Sequence, residues 1–121
     1  MATDQQLIDP EAIDNLRALN PDDGDGFLRD IVGIFLEDTP SRVQELKESL
    51  ASGDTVRFTR AAHSIKGSSS NLGATPLRSV AEKLETESRT KGLSAVNPLL
   101  TELEKVFEST KAELTRLIPP A

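Results

Sequence analysis

The chain has 121 residues, 20 of them acidic against 14 basic, a formal charge of −6 and no cysteine. That length suits one domain able to bury about two-thirds of its unfolded surface, the charge argues against nucleic acid, whose phosphates need a basic face, and the missing thiols exclude disulfides and thiolate metal sites while fitting a reducing compartment. The first residues form no basic-then-apolar signal segment, and no apolar run approaches the roughly 20 residues of a bilayer span, so the expectation is one soluble, cytoplasmic domain over residues 1–121, away from membranes.

The predicted elements are all helices. Asp9-Pro10 pairs an N-cap with a proline suited to the first helical position, and opens a short helix over 10–19 that buries Ile13 and Leu16 before Asn20-Pro21 stops it. Residues 22–26 read as a linker. A long helix over 26–51 follows, with Leu28, Ile31, Phe35, Val43, Leu46 and Leu50 spaced mostly by three or four. Pro40 lies inside it and is expected to kink it rather than break it, because proline removes one backbone hydrogen bond and crowds the preceding turn. Ser52-Gly53-Asp54 supplies a stop and then a cap for a helix over 54–71, whose apolar stripe is Phe58, Ala61, Ala62, Ile65, Ser69 and Leu72, with Gly73 closing it. Thr75-Pro76 opens a helix over 76–91 that buries Leu77, Val80, Ala81 and Leu84, and Gly92 ends it. The last helix spans 94–117, from Val96 through Leu99, Leu100, Leu103, Val106, Phe107 and Leu114 to Leu117, and Pro119-Pro120 terminates it. Four amphipathic helices joined by short loops bury their stripes most simply as an all-α antiparallel four-helix bundle, with the short N-terminal helix across one end.

His63 is the only histidine. At 100° per residue it lies about 100° from Ala62 and shares a face with Thr59, Arg60, Lys66, Gly67 and Ser70, beside the core stripe but not on it. It is therefore expected at the surface. The stretch Thr55–Ala81 holds four basic residues (Arg57, Arg60, Lys66 and Arg78), and all 20 acidic residues lie outside it. A glycine inside a helix costs about 1 kcal/mol relative to alanine, so Gly67 on an exposed face calls for a reason. Clearance beside the imidazole provides one. A single histidine without cysteine is a poor start for zinc, and no nucleophile–base–acid set or phosphate-cradling glycine loop can be assembled. No cofactor site is expected. What remains is nucleophilic chemistry by the imidazole itself, with Lys66 one turn along as a point charge for an anionic group, Gly67 as clearance, and Arg60 and Ser70 in support. Ser69 belongs to the core side.

The run His63-Ser64-Ile65-Lys66-Gly67-Ser68-Ser69-Ser70-Asn71-Leu72-Gly73-Ala74 resembles the signature of histidine phosphotransfer (HPt) domains, H-x-[IL]-K-G-[SA]-[SA]-x-N-[LIV]-G-A. Leu7–Ile13, Phe27-Leu28 and Phe35-Leu36-Glu37-Asp38-Thr39-Pro40 resemble the opening helices of bacterial members. The resemblance implies a four-helix bundle in which His63 accepts a phosphoryl group from a receiver-domain aspartate and passes it to another. The chain would be a monomeric phosphocarrier in two-component signalling, not an enzyme with its own ATP-dependent kinase activity. Receiver domains or a hybrid sensor histidine kinase are the expected partners, and the receiver supplies Mg²⁺. The more exposed Nε2 is the nitrogen expected to react. Docking is expected on apolar side chains of the first helix and the N-terminal half of the second, with Leu7, Ile8 and Ile13 as candidates. In some relatives a glutamine on the following helix approaches the phosphorylated histidine; Glu85 falls near that position, and a salt bridge to Lys66 or Arg60 is expected of it instead. The alternative is a bundle that binds a receiver or kinase without accepting phosphate.

Overall fold

The computed structural model describes residues 6–20, 22 and 25–118. The expected stops at Asn20-Pro21 and at Pro119-Pro120, and residues 23 and 24 of the 22–26 linker, involve residues outside this set. Five α-helices follow one another, and there is no strand among the described residues: α1 (Pro10–Ala18), α2 (Gly26–Ser52), α3 (Thr55–Asn71), α4 (Thr75–Lys91) and α5 (Asn97–Leu117).

Local chemistry accounts for the boundaries. Asp9 caps α1 by accepting from the Glu11 amide at 3.0 Å, with Pro10 in the first turn, where no amide proton is needed. Gly53 ends α2 in the left-handed region (φ 75°), and the Asp54 amide reaches back to the Ser49 carbonyl at 2.8 Å. The Asp54 side chain then accepts from the Arg57 amide at 3.1 Å and starts α3.

α2 continues through Pro40 without a break. Phe35, Thr39, Val43 and Leu46 stay buried on one face, so the helical register holds on both sides of the proline. The last helix begins at Asn97 rather than at residue 94, and Pro98 explains the difference. A helix starting at 94 would place Pro98 at its fifth position, where its missing amide and its ring would both conflict with the Ser94 carbonyl. Starting at Asn97 puts the proline in the first turn instead.

Connections of two to five residues keep successive long helices antiparallel, and α3 packs most closely with α4, then with α2. Ala62 of α3 and Ala81 of α4 are both fully buried, and small side chains of this kind let the closely packed α3 and α4 backbones approach. Phe58, Ile65, Leu46, Leu84 and Leu103 complete the centre with no accessible surface, each contributing about 1.5–3 kcal/mol by burial. Phe35 and Phe107 meet at 6.0 Å between ring centroids with planes tilted by 59°, a favourable edge-on arrangement.

α1 lies across the end of the bundle that carries the α3–α4 turn. The Asp9 amide donates to the Gly73 carbonyl at 2.8 Å. Gly73 has φ 68°, and a Cβ there would sit 2.6 Å from the Cβ of Ala12. Only glycine permits both the left-handed turn and this approach.

Candidate functional site

α3 has two faces, as its sequence requires. Phe58, Ala61, Ala62, Ile65 and Ser69 are buried, and the Ser69 hydroxyl satisfies itself on the Ile65 carbonyl at 2.6 Å. On the other side His63, in the middle of the helix, leaves 66% of its side chain exposed. Gly67 is exposed, and a Cβ added to it would meet nothing within 4 Å. The space beside the imidazole along α3 is therefore open.

The ring is held by α4. His63 Nδ1 lies 2.8 Å from Glu85 Oε2, and Lys66 Nζ lies 2.8 Å from Glu85 Oε1. Arg89, one turn further along α4, approaches Oε2 at 3.7 Å. Glu85 is only 8% exposed. Burial pushes its carboxyl up, but hydrogen bonds from Lys66 and His63, together with the attraction of both side chains, outweigh this and hold it below the ordinary carboxylate value. Among the described residues Nε2 of His63 has no hydrogen-bond partner.

His63, Lys66 and Gly67 thus come together as the sequence indicates, with Lys66 engaged by Glu85 across the seam. The salt bridge expected of Glu85 forms with Lys66 and not with Arg60. Arg60 is exposed, has no ion pair among the described residues, and lines an open groove of about 420 Å³ with Thr55, Val56, Thr59, His63, Glu85 and Arg89. Ser70 is exposed on the same face, but seven residues place it about 10 Å along the axis from His63. Helical side chains lean toward the N-terminus, so the imidazole points away from Ser70 and the structure does not draw that serine into the site.

Two expectations change. The basic stretch is not a basic surface: Arg57 pairs with Glu48 at 2.9 Å and Glu45 at 3.5 Å, Lys66 with Glu85, and Arg78 with Glu82 at 4.0 Å. Carboxylates on other helices pair with Arg57 and Lys66, which counting along the chain cannot see, and Arg78 pairs one turn along its own helix. The docking candidates also change. Ile8 and Ile13 are 5% and 4% exposed and belong to the core, and Leu7 packs half-buried against it. The apolar surface of α1 and early α2 is instead a groove of about 410 Å³ lined by Leu16, Leu19, Phe27, Ile31, Ile34 and Leu72, with Ser68 and Asn71 of α3 along its edge. Leu19 and Ile34 are 70% and 66% exposed. No described helix is long and apolar enough to cross a membrane.

A helical bundle that displays one histidine in mid-helix, clears the space beside it with glycine and anchors it from the neighbouring helix has the form of a phosphotransfer domain. Residues 30–116 match the family described as Hpt domain. The chain is 33% identical over 82 residues to "Multistep phosphorelay regulator 1" of Schizosaccharomyces pombe, a match covering 68% of this chain and 28% of that protein. The fold is similar to the crystal structure of histidine-containing phosphotransfer protein B from Pseudomonas aeruginosa PAO1, with a TM-score of 0.83, 25% identity, and coverage of 91% of this chain and 92% of that one. The chain belongs to the Hpt domain family, and it spans 28% of the length of the fission-yeast regulator it matches.

Proposed function

We propose that this protein is a cytoplasmic, monomeric phosphocarrier in which His63 accepts a phosphoryl group from the aspartyl phosphate of a receiver domain and later yields it to another receiver aspartate. The carrying observation is the pairing of an exposed imidazole, held through Nδ1 with Nε2 unpartnered, with the empty space over Gly67. Phosphoryl transfer depends on positioning and charge far more than on chemistry supplied by the carrier. His63 provides the nucleophile, Arg60 one turn before it provides positive charge, Lys66 one turn after it can turn from Glu85 to the phosphoryl group, and Gly67 admits the wall of the receiver's active site. The described residues assemble no group of three or more His, Asp or Glu side chains that could hold a metal ion, and in this reading Mg²⁺ sits on the receiver's own carboxylates.

The receiver docks on the apolar groove between α1 and α2. Its edge residues Ser68 and Asn71 follow directly on Gly67 along α3, so an occupant of the groove reaches His63 without leaving the surface. The protein has no kinase activity of its own, and ATP with Mg²⁺ leaves it unlabelled. Incubation with a phosphorylated receiver should label the wild-type chain through an acid-labile, alkali-stable bond. His63→Gln should keep the helical circular dichroism and take no label. Label on the folded variant equal to wild type would refute the assignment.

A further inference from the structure

His63 does not line the apolar groove between α1 and α2. On α3 that groove ends at Ser68, Asn71 and Leu72, whereas the imidazole lines the α3–α4 groove on its other side. Helical side chains lean toward the N-terminus, which carries the ring toward the turn of Thr59 and Arg60. An occupant of the apolar groove must therefore cross Gly67 and settle over the α3–α4 groove to meet the ring. Among the described residues three large apolar side chains are well exposed: Leu19, Ile34 and Val56. The first two belong to the apolar groove, and Val56, 62% exposed, lines the α3–α4 groove. A lone exposed apolar residue is ordinary, but this one has a particular place. It precedes His63 by seven residues, about 20° off the histidine's line and roughly 10 Å along the axis. Arg60 stands between them. On the α2 side Arg42 and Arg57 are engaged by Asp38, Glu45 and Glu48. Glu85, the one carboxylate lining the α3–α4 groove, holds Lys66 at 2.8 Å and Arg89 at 3.7 Å. Arg60 is left exposed, with no ion pair among the described residues.

We propose that the surface around Val56 and Arg60 is a second contact region of the docking face, and that it selects receivers presenting there an apolar side chain beside a carboxylate. The inference rests on the carrier and docking readings above and adds the part of the footprint on the far side of His63. Size supports it. A protein interface at the small end, about 600 Å² on each partner, covers a disc roughly 14 Å in radius. Centred on His63, such a disc takes in Val56. Charge gives the contact its sign: the chain as a whole carries −6, so an acidic partner is repelled except where a free guanidinium faces it. Complementary charge of this kind acts on association and on the choice of partner more than on strength. Val56 supplies the apolar area that holds the partner once it arrives.

Binding of the intact chain to an unphosphorylated receiver domain, one that labels wild type when phosphorylated, isolates docking because no phosphoryl group is present. Val56 follows the Asp54 cap by two residues, and an acidic side chain suits a helix N-terminus, so Val56→Asp should melt no lower than wild type. It should weaken receiver binding about tenfold, while labelling of His63 by phosphoramidate persists. Val56→Lys loses apolar contact but keeps the attraction, and should weaken binding less. Arg60→Gln should flatten the salt dependence of association. A folded Val56→Asp protein that binds like wild type overturns the second contact, and equal losses in the aspartate and lysine variants overturn its acidic complement. Ile34→Asp, in the apolar groove, should also weaken binding. An effect there with none at Val56 removes the second contact alone, whereas no effect at either removes the docking reading. Failure of the carrier reading looks different again: wild type takes no label from any phosphorylated receiver.

Discussion

Replacing Gly67 separates what is good for the helix from what is good for the partner. The residue is exposed inside α3, with φ in the ordinary helical range, and an added Cβ meets nothing within 4 Å. Gly67→Ala therefore brings the helical gain undiminished, about 1 kcal/mol. For a two-state domain of this size that is an increase of roughly 3–6 °C in Tm. Gly33 in α2 is also exposed and equally open, and Gly33→Ala should give the same increase as an internal standard. Gly67→Gln should leave the fold intact but fill the space beside the imidazole. Displacing the reacting groups by about 1 Å can cost on the order of 100-fold, so labelling by a phosphorylated receiver should fall by at least about tenfold. Labelling by a small donor such as phosphoramidate, which needs no docking, should persist. Thermal melts and single-turnover transfer measure the two effects. A fall in Tm for Gly67→Ala would refute the open-space argument, and wild-type transfer by Gly67→Gln would refute the clearance role.

Gly73→Ala carries the opposite sign. The φ of 68° and the 2.6 Å approach to Ala12 combine left-handed strain with a clash, a loss of about 2–4 kcal/mol in urea denaturation; a midpoint equal to wild type would show that the α1 contact gives way freely. The depressed carboxyl of Glu85 makes a pH prediction. A group whose folded value lies below its unfolded 4.5 stabilises fully above that value and loses its contribution as pH falls through the folded one. Wild type should therefore lose more stability than Glu85→Leu between neutral pH and about pH 3, and parallel urea midpoints across that range would exclude the ion network as a source of stability.

The sequence made α3 legible because its two stripes are chemically unlike. Small and apolar residues fall on one side, and His63, Lys66 and Gly67 on the other, so phase alone separates core from site. Glu85 was partly legible. On α4 it lies about 40° from Ala81 by helical phase, within the stripe of Leu77, Val80, Ala81 and Leu84, which marks it as a carboxylate facing a neighbour. That it would bind the histidine required knowing the register of α4 against α3. The same missing register made Arg57 and Lys66 look like part of a positive surface, because Glu45, Glu48 and Glu85 reach them from other elements. Ile8 and Ile13 were misplaced for a related reason: apolar residues on or just before a short terminal helix fit either a core or a docking face, and here both are buried beside the Asp9–Gly73 bond.

The packing of α3 on α4 sets the chemistry as well as the stability. A carboxylate can reach an imidazole on the neighbouring helix only if the backbones lie close, and the buried alanines at 62 and 81 suit that closeness. One turn away from the His63–Glu85 pair, the hydroxyls of Thr59 and Ser88 meet at 2.7 Å across the same seam and fix its spacing. Neither side chain has length to spare, so a wider seam would part this pair before it disturbed the aliphatic core. Lys66 reaches the same carboxylate from α3 and closes the arrangement. Glu85 thus has a partner for each of its oxygens and no need of solvent, which is the condition under which a buried charge holds its neighbours in place rather than destabilising them. His63 is exposed on one edge and anchored on the other, so the seam that holds the core also fixes how the ring faces solvent.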